Sequence, residues 1–255
     1  MPVSYNSMHT IDINCDLGEG YTNDAELMQY ISSANIACGF HAGNEDTIKK
    51  TIELCLKNNN AIGAHPGFND KENFGRINIQ LSDDELYDLI AEQITLLQAY
   101  CKQAGTKLHH VKPHGALYNM AAINASMSYT IAAAIIEVDD SLIVYGLSNS
   151  ELIIEANKLG LATASEVFAD RTYQSDGTLT RRSMENALIT NVDDSLHQCL
   201  QMIQHQQVTA VNNSIISIIA DTICIHGDGI HAVNFAKSLH QLITNNNIQL
   251  KTIGA

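Results

Sequence analysis

Short apolar runs alternate with longer segments of helical period along most of the chain. The runs Thr10–Cys15, Asn35–Cys38, Ala61–Ala64, Leu108–Lys112, Leu142–Tyr145, Ala162–Phe168 and Thr222–His226 have the length of buried strands. The clearest helix follows Ser82. Ser82 and Glu85 form an S-x-x-E capping box, and Leu81 is placed to staple onto Leu86. Leu86, Leu89, Ile90, Gln93, Ile94, Leu97 and Cys101 then recur at helical spacing, with Gln93 alone polar and Gly105 the expected stop. Ser148 and Glu151 make a second capping box, and Gly160 ends that helix. Alternating strands and helices predict parallel pairing, because a parallel return requires a crossover. Repetition without a break predicts one α/β domain over residues 1–255, a closed or nearly closed (β/α) barrel. A flat doubly wound sheet is the alternative. Val208–Ala220 fits the alternation poorly and reads as an extra strand or an excursion over the barrel end.

Composition narrows the classes of function. No linker divides the 255 residues, and two of the three prolines, Pro66 and Pro113, sit beside histidines. No apolar run approaches the roughly 20 residues that span a bilayer. Met1–Met8 lacks the basic start and apolar run of a signal peptide, so a cytoplasmic protein without a membrane role is expected. A net charge of −14 argues against nucleic-acid binding. It also means that an anionic ligand must be held by a few local cations, which draws notice to Lys112, Arg76, Arg171, Arg181 and Arg182. The six cysteines contain no C-x-x-C pair and read as buried reduced thiols, with a nucleophile at Cys15 or Cys38 the sharper alternative.

Nearly every candidate strand runs directly into polar residues. The first leads into Asp16 and Glu19, the second into His41, the third into His65 and the fourth into Lys112 and His114. The sixth leads into Asp170-Arg171, and the seventh ends in His226, followed by Asp228. In a parallel α/β barrel all these ends open on one face, where active sites assemble. Catalysis is therefore assigned to Asp16, Glu19, His41, His65, Lys112 and His114. Binding of substrate or phosphate is assigned to Arg76, Asp170, Arg171, Arg182, His226 and Asp228. Lys112 just inside a strand end suits an anion, or a role as a lysine of lowered pKa. A divalent metal held among Asp16, His41, His65 and His114 is compatible with this set, although no H-E-x-x-H spacing occurs. Gly227 to Ala232 matches a dinucleotide fingerprint but lacks the following strand with an acidic end. No G-x-x-x-x-G-K-[ST] occurs, so a P-loop is absent from the sequence.

The motifs DINCDLGEG (12–20), SANIACGFHAG (33–43), IGAHPGF (62–68), NFGR (73–76), HVKPHGALYN (110–119), EVFADRTYQSDGTL (166–179) and HGDG (226–229) resemble the LamB/YcsF family. The resemblance runs from Ile11 to about Ala236. Cys15, Asn44 and Arg181 depart from its usual residues, and Asn44 weakens any role that needs a carboxylate there. Membership implies a distorted seven-stranded, TIM-like (β/α) barrel related to glycoside hydrolase and deacetylase barrels. It also implies part of an ATP-dependent 5-oxoprolinase, which opens 5-oxo-L-proline to L-glutamate. ATP would be a co-substrate, bound by the partner subunits B and C. The alternatives are a stand-alone metal-dependent amidohydrolase or deacetylase, and a non-catalytic ligand-binding subunit.

Overall fold

The structure, a computed structural model, describes residues 9–227 and 232–254. It begins with β1 (Thr10–Leu17), α1 (Asp24–Leu27), β2 (Ser33–Ala37), α2 (Glu45–Asn58), β3 (Ala61–His65) and α3 (Asp83–Gln103). There follow β4 (His110–Val111), α4 (Gly115–Ala121), α5 (Ala125–Val138), β5 (Ile143–Leu147), α6 (Glu151–Lys158) and β6 (Thr163–Phe168). The chain ends with α7 (Val192–His205), β7 (Gln207–Thr209), β8 (Ile215–Ser217), β9 (Thr222–His226), α8 (Ala232–Asn245) and β10 (Gln249–Leu250).

All seven expected strands are present and pair in parallel in the order β1-β2-β3-β4-β5-β6-β9. The seventh returns to the first: Asp12–Asp16 of β1 pairs with Thr222–His226 of β9, while Asn14–Leu17 pairs with β2. That second edge closes a barrel and excludes the flat sheet. β10 adds onto the start of β1, at Thr10 and Ile11. The segment that broke the alternation forms the antiparallel β7–β8 hairpin, apart from the barrel sheet.

Strand period two divides β1 cleanly. Ile11, Ile13, Cys15 and Leu17 join the apolar layer shared with the helices. Asp12, Asn14 and Asp16 face inward, where buried polar groups are costly unless hydrogen-bonded. They are. Ser32, Ser33 and Thr222 donate to the Asp12 carboxylate at 2.5, 2.7 and 2.6 Å. Asn14 donates to Thr222 at 2.7 Å, and Asn35 donates to Asn14 at 2.7 Å and to Asp16 at 2.8 Å. Burial pushes the Asp12 pKa up, and these hydroxyl donors only partly offset it.

The helix after Ser82 has the expected box. Ser82 accepts from the Glu85 N–H at 3.3 Å, and Glu85 accepts from the Ser82 N–H at 2.8 Å. Gly105 follows that helix with φ +75°. The second capping box is displaced. Ser150, not Ser148, caps α6 by accepting from the Ile153 N–H. β5 runs on to Leu147, and Asn149 turns the chain with φ +64°, which carries the helix start two residues downstream. Ser148 instead accepts the Ile219 N–H at 2.8 Å.

Gly63 on β3 shows how tightly the interior is fitted. A Cβ there would lie 2.1 Å from Nε2 of the buried His110 ring. Gly63→Ala is therefore expected to cost about 3 kcal/mol, the upper range of core overpacking. Gly160→Ala, which meets nothing within 4 Å but has φ +88°, is expected to cost about 1 kcal/mol. Denaturant titration of both variants checks the ranking; equal losses would contradict it.

Candidate active site

Lys112 follows the short strand β4, ahead of Pro113, which has no N–H to extend the pairing. Its side chain is buried and carries the ammonium to the upper end of the polar axis. Nζ lies 2.8 Å from Glu166 Oε1, 2.9 Å from Asp16 Oδ1, 3.1 Å from Asn14 Oδ1 and 3.1 Å from Cys224 Sγ. Burial by itself lowers the pKa of this ammonium. The Asp16 charge, the Cys224 sulfur and Glu166 outweigh burial, and the pKa stands well above the ordinary lysine value. This reverses the expectation of a lysine with lowered pKa. It also means that the ammonium is committed to the protein's own acceptors.

Three histidines converge beside it. His65 Nδ1 lies 2.7 Å from the Lys112 carbonyl, and His114 Nε2 lies 2.9 Å from the Phe74 carbonyl. A carbonyl only accepts, so each of these nitrogens carries a hydrogen. The neutral rings then turn lone pairs on His65 Nε2 and His114 Nδ1 toward each other across 2.9 Å. Such a contact needs positive charge, a proton or a cation, at that point. His41 stacks on His114 with centroids 3.8 Å apart and rings 5° from parallel. Burial, then the neighbouring His65, pushes the His114 pKa down to about 3. Burial, then His114 and His65, holds His41 well below its usual value.

Carboxylates approach the same point. Asp16 Oδ2 is 3.4 Å from His65 Nε2, while Glu19 Oε1 is 3.5 Å from His114 Nδ1 and 3.6 Å from His41 Nε2. One ligand atom each from Glu19, His41, His65 and His114 falls within 4.8 Å of the others. That group has Glu19 where the sequence suggested Asp16, whose Oδ1 is held by Lys112 and Asn35.

This corner opens into a cavity of about 700 Å³, lined by Asp16, Glu19, His65, Lys112 and His114 and by Arg76, Arg171, Arg181 and Arg182. Arg76 lies over the Phe74 ring at 4.8 Å. Arg171 also ties its own loop together, donating to the carbonyls of Thr180 at 2.6 Å and Ala187 at 3.4 Å. Asp170 follows β6 and is not among the lining residues. The backbone of His226 lies in β9; its side chain and Asp228 fall outside the described residues. All six cysteines are free and buried, and burial raises the Cys15 thiol well above its usual value and Cys38 to about 12. Neither is a ready nucleophile.

Several supporting residues were not singled out from the sequence. Glu166 is fully buried beside Lys112, and its signal was a lone carboxylate inside an apolar strand. Asn14 and Asn35 are likewise polar residues within strands. Gln93, the one polar residue on its helix face, is bound to Gly67 on both sides: it accepts the Gly67 N–H at 3.0 Å and donates to its carbonyl at 2.8 Å. That clamp fixes the turn after His65, where a Cβ on Gly67 would lie 2.7 Å from His41 Nδ1.

The LamB/YcsF family model matches residues 11–255. The chain belongs to the LamB/YcsF family. The A component of the Brevibacillus brevis 5-oxoprolinase is 50% identical over 248 residues, covering 95% of this chain and 98% of that protein. The lactam utilization protein of Thermus thermophilus superposes with a TM-score of 0.89 at 35% identity, over 95% of this chain and 99% of that one. The peptidoglycan deacetylase PdaC of Bacillus subtilis, at 14% identity and a TM-score of 0.50 over 97% of this chain and 89% of its own, shares the barrel fold alone. The lysine, aspartate and histidines described above thus sit in a LamB/YcsF barrel.

Two outcomes follow from this geometry. Lys112→Met leaves Asp16 and Glu166 without their shared cation and is expected to destabilise the fold by about 3–5 kcal/mol. Adding Glu166→Leu should recover part of that loss in denaturant titrations, and an additive double variant would contradict the coupling. His110 donates through Nε2 to Asn35 at 2.8 Å and stacks on Tyr145 at 4.1 Å. Burial, then His109 and Lys112, holds its pKa well below 6.5, against the opposing pull of Asp16. A histidine of depressed pKa contributes stability that is present above the unfolded value of about 6.5 and lost as pH falls toward the folded value. Its slope is about 1.4 kcal/mol per pH unit. The His110 ring nitrogens should therefore keep neutral chemical shifts at pH 5, and titration near pH 6.5 would contradict the burial argument.

Proposed function

We propose that this chain is the ring-opening subunit of an ATP-dependent 5-oxoprolinase. It acts with partner subunits B and C to convert 5-oxo-L-proline, ATP and water to L-glutamate, ADP and phosphate. The reading is carried by the Asp16–His65–His114 corner at a cavity wall, in a chain half identical to a protein of that name.

A five-membered lactam is an unstrained amide, so water alone opens it slowly. Phosphorylation of the amide oxygen breaks the bond between the γ-phosphorus and ADP and makes the ring carbon electrophilic. The sequence has no P-loop, and this step is assigned to the partners. Water then adds to the ring carbon, and the tetrahedral adduct has two exits. Loss of phosphate regenerates the lactam and wastes the ATP. Cleavage of the C–N bond opens the ring to an acyl phosphate, which a second water hydrolyses to glutamate and phosphate. The nitrogen leaves only when protonated, so a placed acid decides between the exits. Asp16 Oδ2 takes the proton of the attacking water. The His65 Nε2 and His114 Nδ1 pair delivers it to the ring nitrogen. With His114 pressed to about pKa 3, a proton held there is released readily. Lys112 and Asn35 keep Asp16 oriented by holding Oδ1, and Oδ2 lies 3.4 Å from His65 Nε2.

A second reading is favoured by one observation, the four donors gathered from Glu19, His41, His65 and His114. The facing lone pairs of His65 and His114 fit a divalent cation. When bound, such an ion would polarise an amide carbonyl and lower the pKa of water. That reading is of a metal-dependent amidohydrolase that works without ATP.

In a complex reassembled with subunits B and C, Asp16→Asn is expected to lower glutamate formation at least 100-fold, the lower range for a general base. His114→Gln should raise the ADP released per glutamate formed above the wild-type ratio. Near-normal turnover by Asp16→Asn would sink the assignment. A tightly held divalent ion together with ATP-independent amide hydrolysis would establish the second reading instead.

A further inference from the structure

The chain contains four arginines, and all four line the same cavity: Arg76, Arg171, Arg181 and Arg182. Of the lysines, Lys112 alone does so among the described residues, and its ammonium is engaged by Glu166 and Asp16. In a chain of net charge −14 this concentrates the guanidinium groups at one place. Guanidinium is the planar, bidentate partner of phosphate, which an ammonium is not.

Three of them sit on one loop, between β6 and α7. The loop is pinned by bridges from Arg171 to Leu188 and from Tyr173 to Leu179, and by a 2.7 Å bond between the Thr172 and Thr180 hydroxyls. Arg171 is buried and spends one N–H on each of two carbonyls, leaving three of its five donors. Among the described residues no carboxylate forms an ion pair with Arg171, Arg181 or Arg182. Asp176, on the same wall, accepts from the Thr178 N–H at 3.0 Å and its hydroxyl at 2.7 Å. Burial, then the nearby Arg182, lowers the Arg171 pKa against the weaker pull of Asp170, so like charges are held together on this loop. A carboxylate of one negative charge is matched by one guanidinium. Three on a fixed loop match a phosphate dianion. Asp16 and Glu19 line the same cavity and repel such a group, which favours seating the phosphate on the arginine loop.

We propose that Arg171, Arg181 and Arg182 form a phosphate subsite, and that the ligand entering this cavity is the lactam already phosphorylated on its oxygen. That choice of ligand rests on the 5-oxoprolinase reading; the subsite does not. The reaction that supplies this ligand is then a phosphoryl transfer from a nucleoside triphosphate to an amide oxygen, completed before the ring reaches Asp16.

The test is calorimetric titration of the purified full-length chain with inorganic phosphate, acetate and ATP at low salt. The variants are Arg182→Ala, the double variant Arg181→Ala with Arg182→Ala, and Lys251→Ala as an exposed control. Both arginine positions are exposed, so the fold is expected to survive, which a melting curve verifies. The expected result is saturable 1:1 phosphate binding that Arg182→Ala weakens at least tenfold and Lys251→Ala leaves unchanged, with acetate at least tenfold weaker. No saturable phosphate binding, equal binding of acetate, or binding untouched by the double variant would each overturn the subsite. ATP bound more than tenfold tighter than phosphate, with the same arginine dependence, would overturn the phosphorylated lactam as its source. Phosphate binding in a chain whose reassembled complex makes no glutamate would remove the oxoprolinase reading and leave the subsite standing. Glutamate formation without arginine-dependent phosphate binding would do the reverse.

Discussion

Four strands meet at the Lys112 ammonium. It draws Asn14 and Asp16 from β1, Glu166 from β6 and Cys224 from β9 to the residue that follows β4. Withdrawing such an ion from water costs several kcal/mol, and attraction within the barrel offsets that only when the geometry is good. The constraint runs in both directions. Asp16 and Glu166 are tolerable inside the barrel because Lys112 is there, and Lys112 is fixed because they are. Asp16 is thereby held with Oδ1 on Lys112 and Asn35 and Oδ2 turned to His65. The histidines inherit their placement from the same lysine, since its backbone carbonyl takes the His65 hydrogen and so sets the tautomer.

Local pattern makes much of the barrel legible in the sequence. Each strand is a short apolar run, and the helix after Ser82 announces itself through Glu85 and Gly105. The capping box at Ser148 misleads because Asn149 takes a left-handed turn, which spacing does not reveal. Lys112 stands out by its position at a strand end, but its protonation does not. Whether a buried lysine has its pKa raised or lowered depends on Glu166 and Asp16, which come from other strands. That Glu19 joins the three histidines is likewise a fact of three dimensions, since the four end or follow different strands. Gln93 is visible as the odd polar residue on its helix, yet its partner, Gly67, lies 26 positions away.

The cavity lining carries both signs of charge: Asp16 and Glu19 with His65 and His114, and the guanidinium groups of Arg76 and of Arg171, Arg181 and Arg182 on the loop after β6. A chain so acidic overall cannot draw an anion in from a distance, and recognition must act at contact range. In the proposed reading, the two signs suit a ligand that carries both an electrophilic ring and an anionic group. The glycines support it by absence of volume: Gly67 and Gly75 let His41 and His114 stack where a Cβ would intrude at 2.7 and 2.9 Å.

In the proposed division of labour, this barrel opens a lactam only after other proteins have activated it. The most direct test is glutamate formation from 5-oxoproline, measured for this chain alone and with subunits B and C, each with and without ATP. Glutamate is expected only when all three proteins and ATP are present, with ADP formed alongside. Glutamate from the chain alone, or from the complex without ATP, would contradict the proposal.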